Sequence, residues 1–388
     1  MNSTTQIDIK AIITKQAQLA KKASQKLANL SSLDKNKALL TMAHALENKT
    51  PIILEENNID MENGRQKGLS SALLDRLLLT TERIQQMADG LRQIAALNDP
   101  IGNGIMSCRR PNGLDIRCIR VPLGLVSIIY EARPNVTADA IGLCLKSGNA
   151  VILRGGSEAI HSNKILASVL AEAAYSVGIP HEAIQFVNIT EHSAVDVLMR
   201  LNNYIDVIIP RGGAGLIKRV VENSSVPVIE TGVGICHVFV DEFADTDLAT
   251  KIILNAKTSR PAVCNAIETV LIDKTIANDY LPILCQKLTD AKVEIRACEL
   301  CCNIIPNLKL AQEEDWSTEY GDLIISIKIV DNLDKAIEHI NTYGSGHSEA
   351  IITTNYNHAL KFQQQVDAAA VYVNASTRFT DGNEFGFG

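Results

Sequence analysis

Aromatic side chains are scarce in this chain: one Trp, seven Phe and eight Tyr make up 4% of 388 residues. Ala, Ile and Leu carry the apolar load instead, which suits helices packed on a buried parallel sheet better than an all-β sandwich. A basic excess is also missing. With 37 Lys and Arg against 44 Asp and Glu the net charge is −7, so a nucleic-acid partner has no electrostatic basis. No apolar run approaches the ~20 residues that span a bilayer, and no membrane role is expected. The opening segment MNSTTQIDIKAIITKQ has neither the charged start nor the apolar core of a signal peptide. Nine cysteines without such a signal read as reduced thiols in a cytoplasmic protein. There is no P-loop and no complete G-x-G-x-x-G; the fragments GNG, GVG and GFG lack the third glycine or the strand-to-helix setting. Internal repeats, low-complexity tracts and flexible linkers are absent too, so closely packed domains are expected.

What is present has ordinary globular proportions, 46% hydrophobic and 21% charged. The length exceeds what one core serves, and two or more domains are expected. Residues 5–97 read as helical, with apolar positions recurring at three and four, and Thr80-Thr81-Glu82 marks a helix start. Asn98-Asp99-Pro100 and Gly102 to Gly104 close this block. Residues 114–121 alternate apolar and polar, as a half-exposed strand does. LVSIIY then reads as a buried parallel strand. From there strands and helices alternate: AVILR, a helix over 158–177, AIQFVNI, a helix over 192–202, DVIIP, GLIKRVVE, VPVIE and CHVFVD. That rhythm predicts a doubly wound α/β domain. A second α/β stretch runs from near Asp245 to about Asp367.

Chemistry first suggests itself at Cys264, in Ser259-Arg260-Pro261-Ala262-Val263-Cys264-Asn265-Ala266, just before an apolar strand. A reactive thiol needs amides or a cation beside it, and Arg260 is a cation at hand. A small core filler is the other reading of the same residue. Cys298, Cys301 and Cys302 include a C-x-x-C, but no second Cys/His pair follows at zinc spacing. No metal is expected there, and the segment reads as a surface helix or strand end. Without a glycine fingerprint, a dinucleotide must lie in a crevice at the carboxyl ends of parallel strands. Arg154 follows the strand VIL with no acidic residue beside it to claim a ribose hydroxyl, and a cation there suits a 2′-phosphate.

Several segments together resemble a known family. Residues 127–139, SIIYEARPNVTAD, followed by LKSGNAVILRGGSEA (145–159), look like the cofactor domain of aldehyde dehydrogenases. Within that superfamily the chain resembles the γ-glutamyl phosphate reductase branch. NNYIDVIIPRGGAGLI (202–217), VPVIETGVGICHVFVDEFAD (226–245) and KTSRPAVCNAIETVLI (257–272) carry the match, as do VDNLDKAIEHINTYGSGHSEAI (330–351) and YVNASTRFTDGNEFGFG (372–388). The motifs fall in order over nearly the whole chain.

The resemblance implies an α/β aldehyde-dehydrogenase fold with three parts. Residues 1–105 and 123–241 would form a Rossmann-like NADP(H)-binding domain, and 242–371 an α/β catalytic domain carrying Cys264. Residues 106–122 with 372–388 would supply a small oligomerisation β-hairpin, and the assembly would be a homo-oligomer. Members of the family continue beyond the FGFG in a further segment that contributes to oligomer contacts. The nucleophile would be Cys264. Asn135 would help form the oxyanion hole with the Cys264 backbone N–H. Lys146, Arg154, Gly212, Gly213 and Glu319 would hold the cofactor, with the pyrophosphate at the helix start after Gly213. Substrate would meet Arg133, Arg260, Asn265, Ser345, His347, Ser376 and Arg378, since its carboxylate and phosphate call for cations or oriented polar groups. Glu230 stands where hydrolytic members keep a general base; a catalytic and a structural role are both open. The implied reaction is NADPH-dependent reduction of L-glutamyl 5-phosphate to the semialdehyde, with glutamate 5-kinase as functional partner and proline as the pathway's end. Two rivals remain, an aldehyde dehydrogenase oxidising a free aldehyde and a non-catalytic or zinc-binding scaffold.

Overall fold

A computed structural model describes residues 8–230, 232–382 and 384–386. Residues 5–7 of the expected helical block, and 383, 387 and 388 of the expected oligomerisation stretch, lie outside the described residues. The chain divides into two compact units, one of residues up to 230 and one from 232 onward.

The first unit opens with five helices: α1 (Ile9–Leu27), α2 (Ser32–Asn48), α3 (Thr50–Gln66), α4 (Ser71–Leu77) and α5 (Thr81–Ala96). Their starts are chemical. Asp8, Ser31, Ser70 and Thr80 each accept a hydrogen bond from a first-turn amide, which satisfies donors that a helix leaves orphaned. Their buried stripes follow helical spacing, as Ile84, Met87, Ala88, Leu91, Ile94 and Ala95 do on α5. A hairpin follows, β1 (Gly104–Arg109) with β2 (Asp115–Ile119). Next come β3 (Leu125–Tyr130), α6 (Asn135–Lys146), β4 (Ala150–Arg154), α7 (Ile160–Ser176), β5 (Ile184–Phe186), α8 (His192–Leu198), β6 (Val207–Arg211) and α9 (Ala214–Asn223). The sheet is parallel in the order β5-β4-β3-β6. Its central strand β3 is buried along all six residues, as a sheet covered on both faces requires.

The second unit contains β7 (Cys236–Val240), α10 (Thr246–Thr258), β8 (Ile267–Asp273), α11 (Ala277–Asp290), β9 (Glu294–Ala297), α12 (Glu299–Ile304) and β10 (Lys309–Leu310). It continues with β11 (Ile324–Val330), α13 (Leu333–Tyr343), β12 (Ser348–Ile352), α14 (Tyr356–Gln365) and β13 (Ala370–Val373). Seven parallel strands run in the order β10-β9-β11-β8-β7-β12-β13.

Three expectations need correction. The division falls before Cys236 and not at 241/242, because β7 pairs with β8 and β12 in the second sheet. Tyr372 and Val373, expected among the oligomerisation strands, belong to β13 at that sheet's edge. Residues 114–121 are exposed throughout, not half-buried. The hairpin hydrogen-bonds only within itself among the described residues, so its alternating pattern leaves Met106, Ile116 and Cys118 open to solvent. VPVIE contributes one bridge, Val228 to Ile208, and no strand.

Candidate active site

In the first unit the strand order reverses between β3 and β6, so the carboxyl ends of β3, β4 and β6 frame a crevice. The loops there are built for close approach. A Cβ on Gly212 would stand 2.6 Å from Glu131 Cδ, so a larger residue there would displace the Glu131 side chain. The backbone N–H of Gly213, opening α9, donates to Glu131 Oε2 at 3.0 Å. A carboxylate thus occupies the anion seat that a helix start offers. The donor set and the glycine cradle fit a dinucleotide.

Arg154, at the end of β4, is 7% exposed. Its guanidinium donates to the Thr190 carbonyl at 2.8 Å, and its Nε is buried with no partner among the described residues. Burial holds its pKa below the usual range. Lys146 lies elsewhere than the resemblance implied. Its buried ammonium donates to Asn36 Oδ1 at 2.6 Å and the Ala95 carbonyl at 2.9 Å, tying the end of α6 to α2 and α5. Burial lowers its pKa. Asn135 is exposed as the first residue of α6, and its amide donates to Asp139 Oδ2 one turn on, at 3.3 Å. Burial raises the Asp139 carboxyl. Arg133 is partly exposed in the turn before α6, where its N–H donates to the Glu131 carbonyl at 2.7 Å, and Glu230 is exposed.

In the second unit Cys264 sits, partly exposed, on the loop between α10 and β8. Its backbone is clamped from below. The Cys236 thiol donates to the Cys264 carbonyl at 3.2 Å. A Cβ on Gly234 would stand 1.8 Å from that carbonyl oxygen, so the chain entering β7 passes against the Cys264 backbone. The next residue, Asn265, is buried and serves as a junction. Its Nδ2 donates to the carbonyls of Arg378 (3.3 Å) and Thr380 (2.9 Å), while its own carbonyl accepts from Thr377 Oγ1 at 2.7 Å. Arg378 closes the ring, donating to Asn265 Oδ1 and, through Nε, to Ser259 Oγ at 3.2 Å. Ser376 is buried and accepts from the Arg378 N–H.

The remaining expected residues divide in the same way. Ser345 Oγ accepts from the Ile235 N–H at 2.9 Å, and His347 Nδ1 lies 2.8 Å from Ser348 Oγ. These brace the start of β7 and β12. Arg260 is exposed and makes no hydrogen bond or ion pair among the described residues. Glu319 is exposed on the loop before β11.

Two buried pairs in this unit were not among the sequence candidates. Lys257 Nζ lies 2.6 Å from Glu268 Oε2, both side chains at 1% exposure or less, and Glu268 also accepts from the Gly321 N–H at 3.3 Å. Burial pushes the Glu268 carboxyl up to about 7, against the opposing pull of Lys257. Beside Cys236, His237 meets Glu349 at 3.0 Å, fully buried. The signal was available: Glu268, His237 and Glu349 are polar interruptions in apolar strands, and buried charge demands a partner. At CELCC, the described residues hold no group of three or more His, Cys, Asp or Glu that would bind a metal.

Comparison with known proteins runs through both units. Residues 2–299 and 306–388 match the Aldehyde dehydrogenase family. A γ-glutamyl phosphate reductase of Moorella thermoacetica is 59% identical over 371 residues, 96% of this chain and 89% of the relative. The corresponding protein of Halothermothrix orenii is 56% identical over 98% of this chain and 91% of its own length. The crystal structure of a γ-glutamyl phosphate reductase from Thermotoga maritima superposes with a TM-score of 0.94 at 48% identity, covering 97% of this chain and 91% of that one. An acetylating aldehyde dehydrogenase of Geobacillus thermoglucosidasius shares the fold alone, with a TM-score of 0.69 at 20% identity over 97% and 89% of the two chains. A cysteine on the loop entering a parallel strand, a glycine-lined anion seat at a strand-order reversal, and a match over nearly every residue agree: the chain belongs to the aldehyde dehydrogenase family.

Proposed function

We infer that this chain is an oxidoreductase that converts L-glutamyl 5-phosphate to L-glutamate 5-semialdehyde and phosphate, the second step from glutamate toward proline. The observation that carries this reading is the 56–59% identity to γ-glutamyl phosphate reductases over 96–98% of the chain. Cys264 thiolate attacks the acyl carbon, the C–O bond to phosphate breaks, and phosphate leaves with the electron pair, giving a thioester. The Cys264 backbone N–H would donate to the oxyanion, such a donor being worth about 10²–10³ in rate. A nicotinamide dinucleotide, when held by the chain, would supply the hydride that reduces this thioester. Sulfur then departs as the aldehyde forms, restoring Cys264.

Its preferred form is NADP(H): Arg154 would meet the 2′-phosphate, and Gly212 and Gly213 would seat the pyrophosphate. Arg260, exposed four residues before the nucleophile, is the first choice for a substrate anion. Arg378 positions the loop through Asn265. Glu230 takes no part in a reaction from which water must be excluded. The exposed hairpin β1–β2 joins a second copy, and the enzyme works in the cytoplasm on the product of glutamate 5-kinase. Among the described residues no helix is long and apolar enough to cross a membrane.

The reverse assay tests this directly: glutamate semialdehyde with NADP⁺ and phosphate, beside NAD⁺ and beside a reaction without phosphate. Turnover should require phosphate and favour NADP⁺. Cys264→Ala should abolish it while leaving cofactor binding intact. Phosphate-independent formation of glutamate, or a tenth of the activity retained without Cys264, sinks the proposal.

A further inference from the structure

We propose that Cys298 and Cys301 form a redox-active dithiol that reduces low-molecular-weight disulfides and closes reversibly into an intrachain bridge. Neither residue touches the Cys264 loop machinery described above, and the family match lapses over residues 300–305.

The geometry begins with spacing. Cys298 is the residue that caps α12 and Cys301 lies three positions on, so both side chains fall on one side of the first turn. Their Sγ atoms are 3.5 Å apart, in contact and unbonded. The two thiols differ in access, as an attacking and a resolving thiol must. Cys298 is partly exposed, whereas Cys301 is 0% exposed inside the second unit's core. Cys298 Sγ also accepts from the backbone N–H of Ile329 on β11, at 3.4 Å. The Cys301 thiol beside it, and after it the Ile329 amide, pull the Cys298 thiol down to about 6, while the same contact and burial drive Cys301 far up. The thiolate is the reacting species, so the partly exposed Cys298, with its lowered pKa, is the attacking thiol and the buried Cys301 the resolving one. Cys302 is turned away, its Sγ near the carbonyls of Ala297 (3.7 Å) and Leu308 (3.8 Å).

The exchange balances in two steps. Cys298 thiolate attacks one sulfur of R–S–S–R, forming Cys298–S–S–R and expelling RS⁻. Cys301 gives its proton to that thiolate or to water, and its sulfur attacks Cys298 Sγ, expelling the second RS⁻. Two protein thiols are oxidised and one disulfide is reduced to two thiols.

To test this, the full chain is equilibrated against a series of oxidised-to-reduced glutathione ratios, acid-quenched, alkylated in denaturant and digested. In the wild type the peptide bearing residues 298–302 should lose two alkyl groups together, keep one on Cys302, and recover both with dithiothreitol. In Cys301→Ser the exchange should stop halfway, so the trapped glutathione adduct on Cys298 rises from near none to most of the chains. In Cys298→Ser, Cys301 should stay unmodified, with turnover within about two-fold of wild type. Before oxidation Cys298 should alkylate at least about ten-fold faster than Cys302 at pH 7, from its larger thiolate fraction. Three alkyl groups retained by the wild type at every ratio, a bridge that uses Cys302, or no adduct in a folded Cys301→Ser chain overturns the proposal. The wild-type measurement decides alone if either variant fails to fold.

Discussion

Gly234→Ala isolates the support beneath the nucleophile. The added methyl would lie 1.8 Å from the Cys264 carbonyl oxygen and 2.4 Å from its Cα, where ordinary contact begins near 3.4 Å. Both obstacles are backbone, so no side chain can swing aside, and one loop must move by more than about an ångström. Gly234 has no left-handed backbone angle to defend, so the effect is purely steric. Overpacking of this kind costs about 1–3 kcal/mol of stability, and a displacement of that size at a reacting group costs about 10² in rate. The neighbouring Gly232 provides the control, since a Cβ there meets nothing within 4 Å. The measurement is kcat in the phosphate-dependent assay together with the alkylation rate of Cys264 and the thermal midpoint. Gly234→Ala should fall about a hundred-fold in kcat, with altered Cys264 labelling, while Gly232→Ala stays within two-fold of wild type. Full activity in Gly234→Ala with an unchanged midpoint would show that the loop tolerates movement and that its rigidity is irrelevant to catalysis.

Three further variants address other parts of the molecule. Arg154→Ala should weaken NADP(H) more than NAD(H) in equilibrium binding, and equal losses would remove Arg154 from 2′-phosphate recognition. Lys146→Met should leave cofactor affinity unchanged but lower the thermal midpoint, because the Asn36 and Ala95 contacts are lost; a selective loss of affinity would restore it to the cofactor site. Glu268 has its folded pKa raised from 4.5 to about 7 by burial, so the folded state binds more protons than the unfolded one between those values. Its contribution to stability is therefore present below about pH 4.5 and declines as pH rises to about 7. Glu268→Gln should flatten that decline in midpoint-versus-pH curves, and an unchanged slope would refute the assignment.

The helical block was legible because its stripes and caps are local: Thr80 does from the sequence what it does in the fold, capping α5. The loop carrying Cys264 was legible for a similar reason, lying between a helix and an apolar strand. The sheet to which CHVFV belongs was not, since its partners, Thr269 to Ile272 and Glu349 to Ile352, come later in the chain and continue the same rhythm. Lys146 looked like any cation near a helix end, and only packing shows its ammonium turned inward onto Ala95. The strand over 115–119 had the alternation of a half-buried element. Alternation reports two unlike faces, and it says nothing about whether either face has a neighbour.

The junction at Asn265 also sets an order in time. Its partners at 377–380 lie 112 to 115 residues further along the chain, so a ribosome making the protein releases the nucleophile long before its anchor. Until those later residues emerge, the loop lacks its closing hydrogen bonds, and bringing such distant segments together carries the entropy of a large loop. Assembly of the reactive centre thereby waits until residues 377–380 have been made. A nascent chain carries the cysteine without the geometry that positions it.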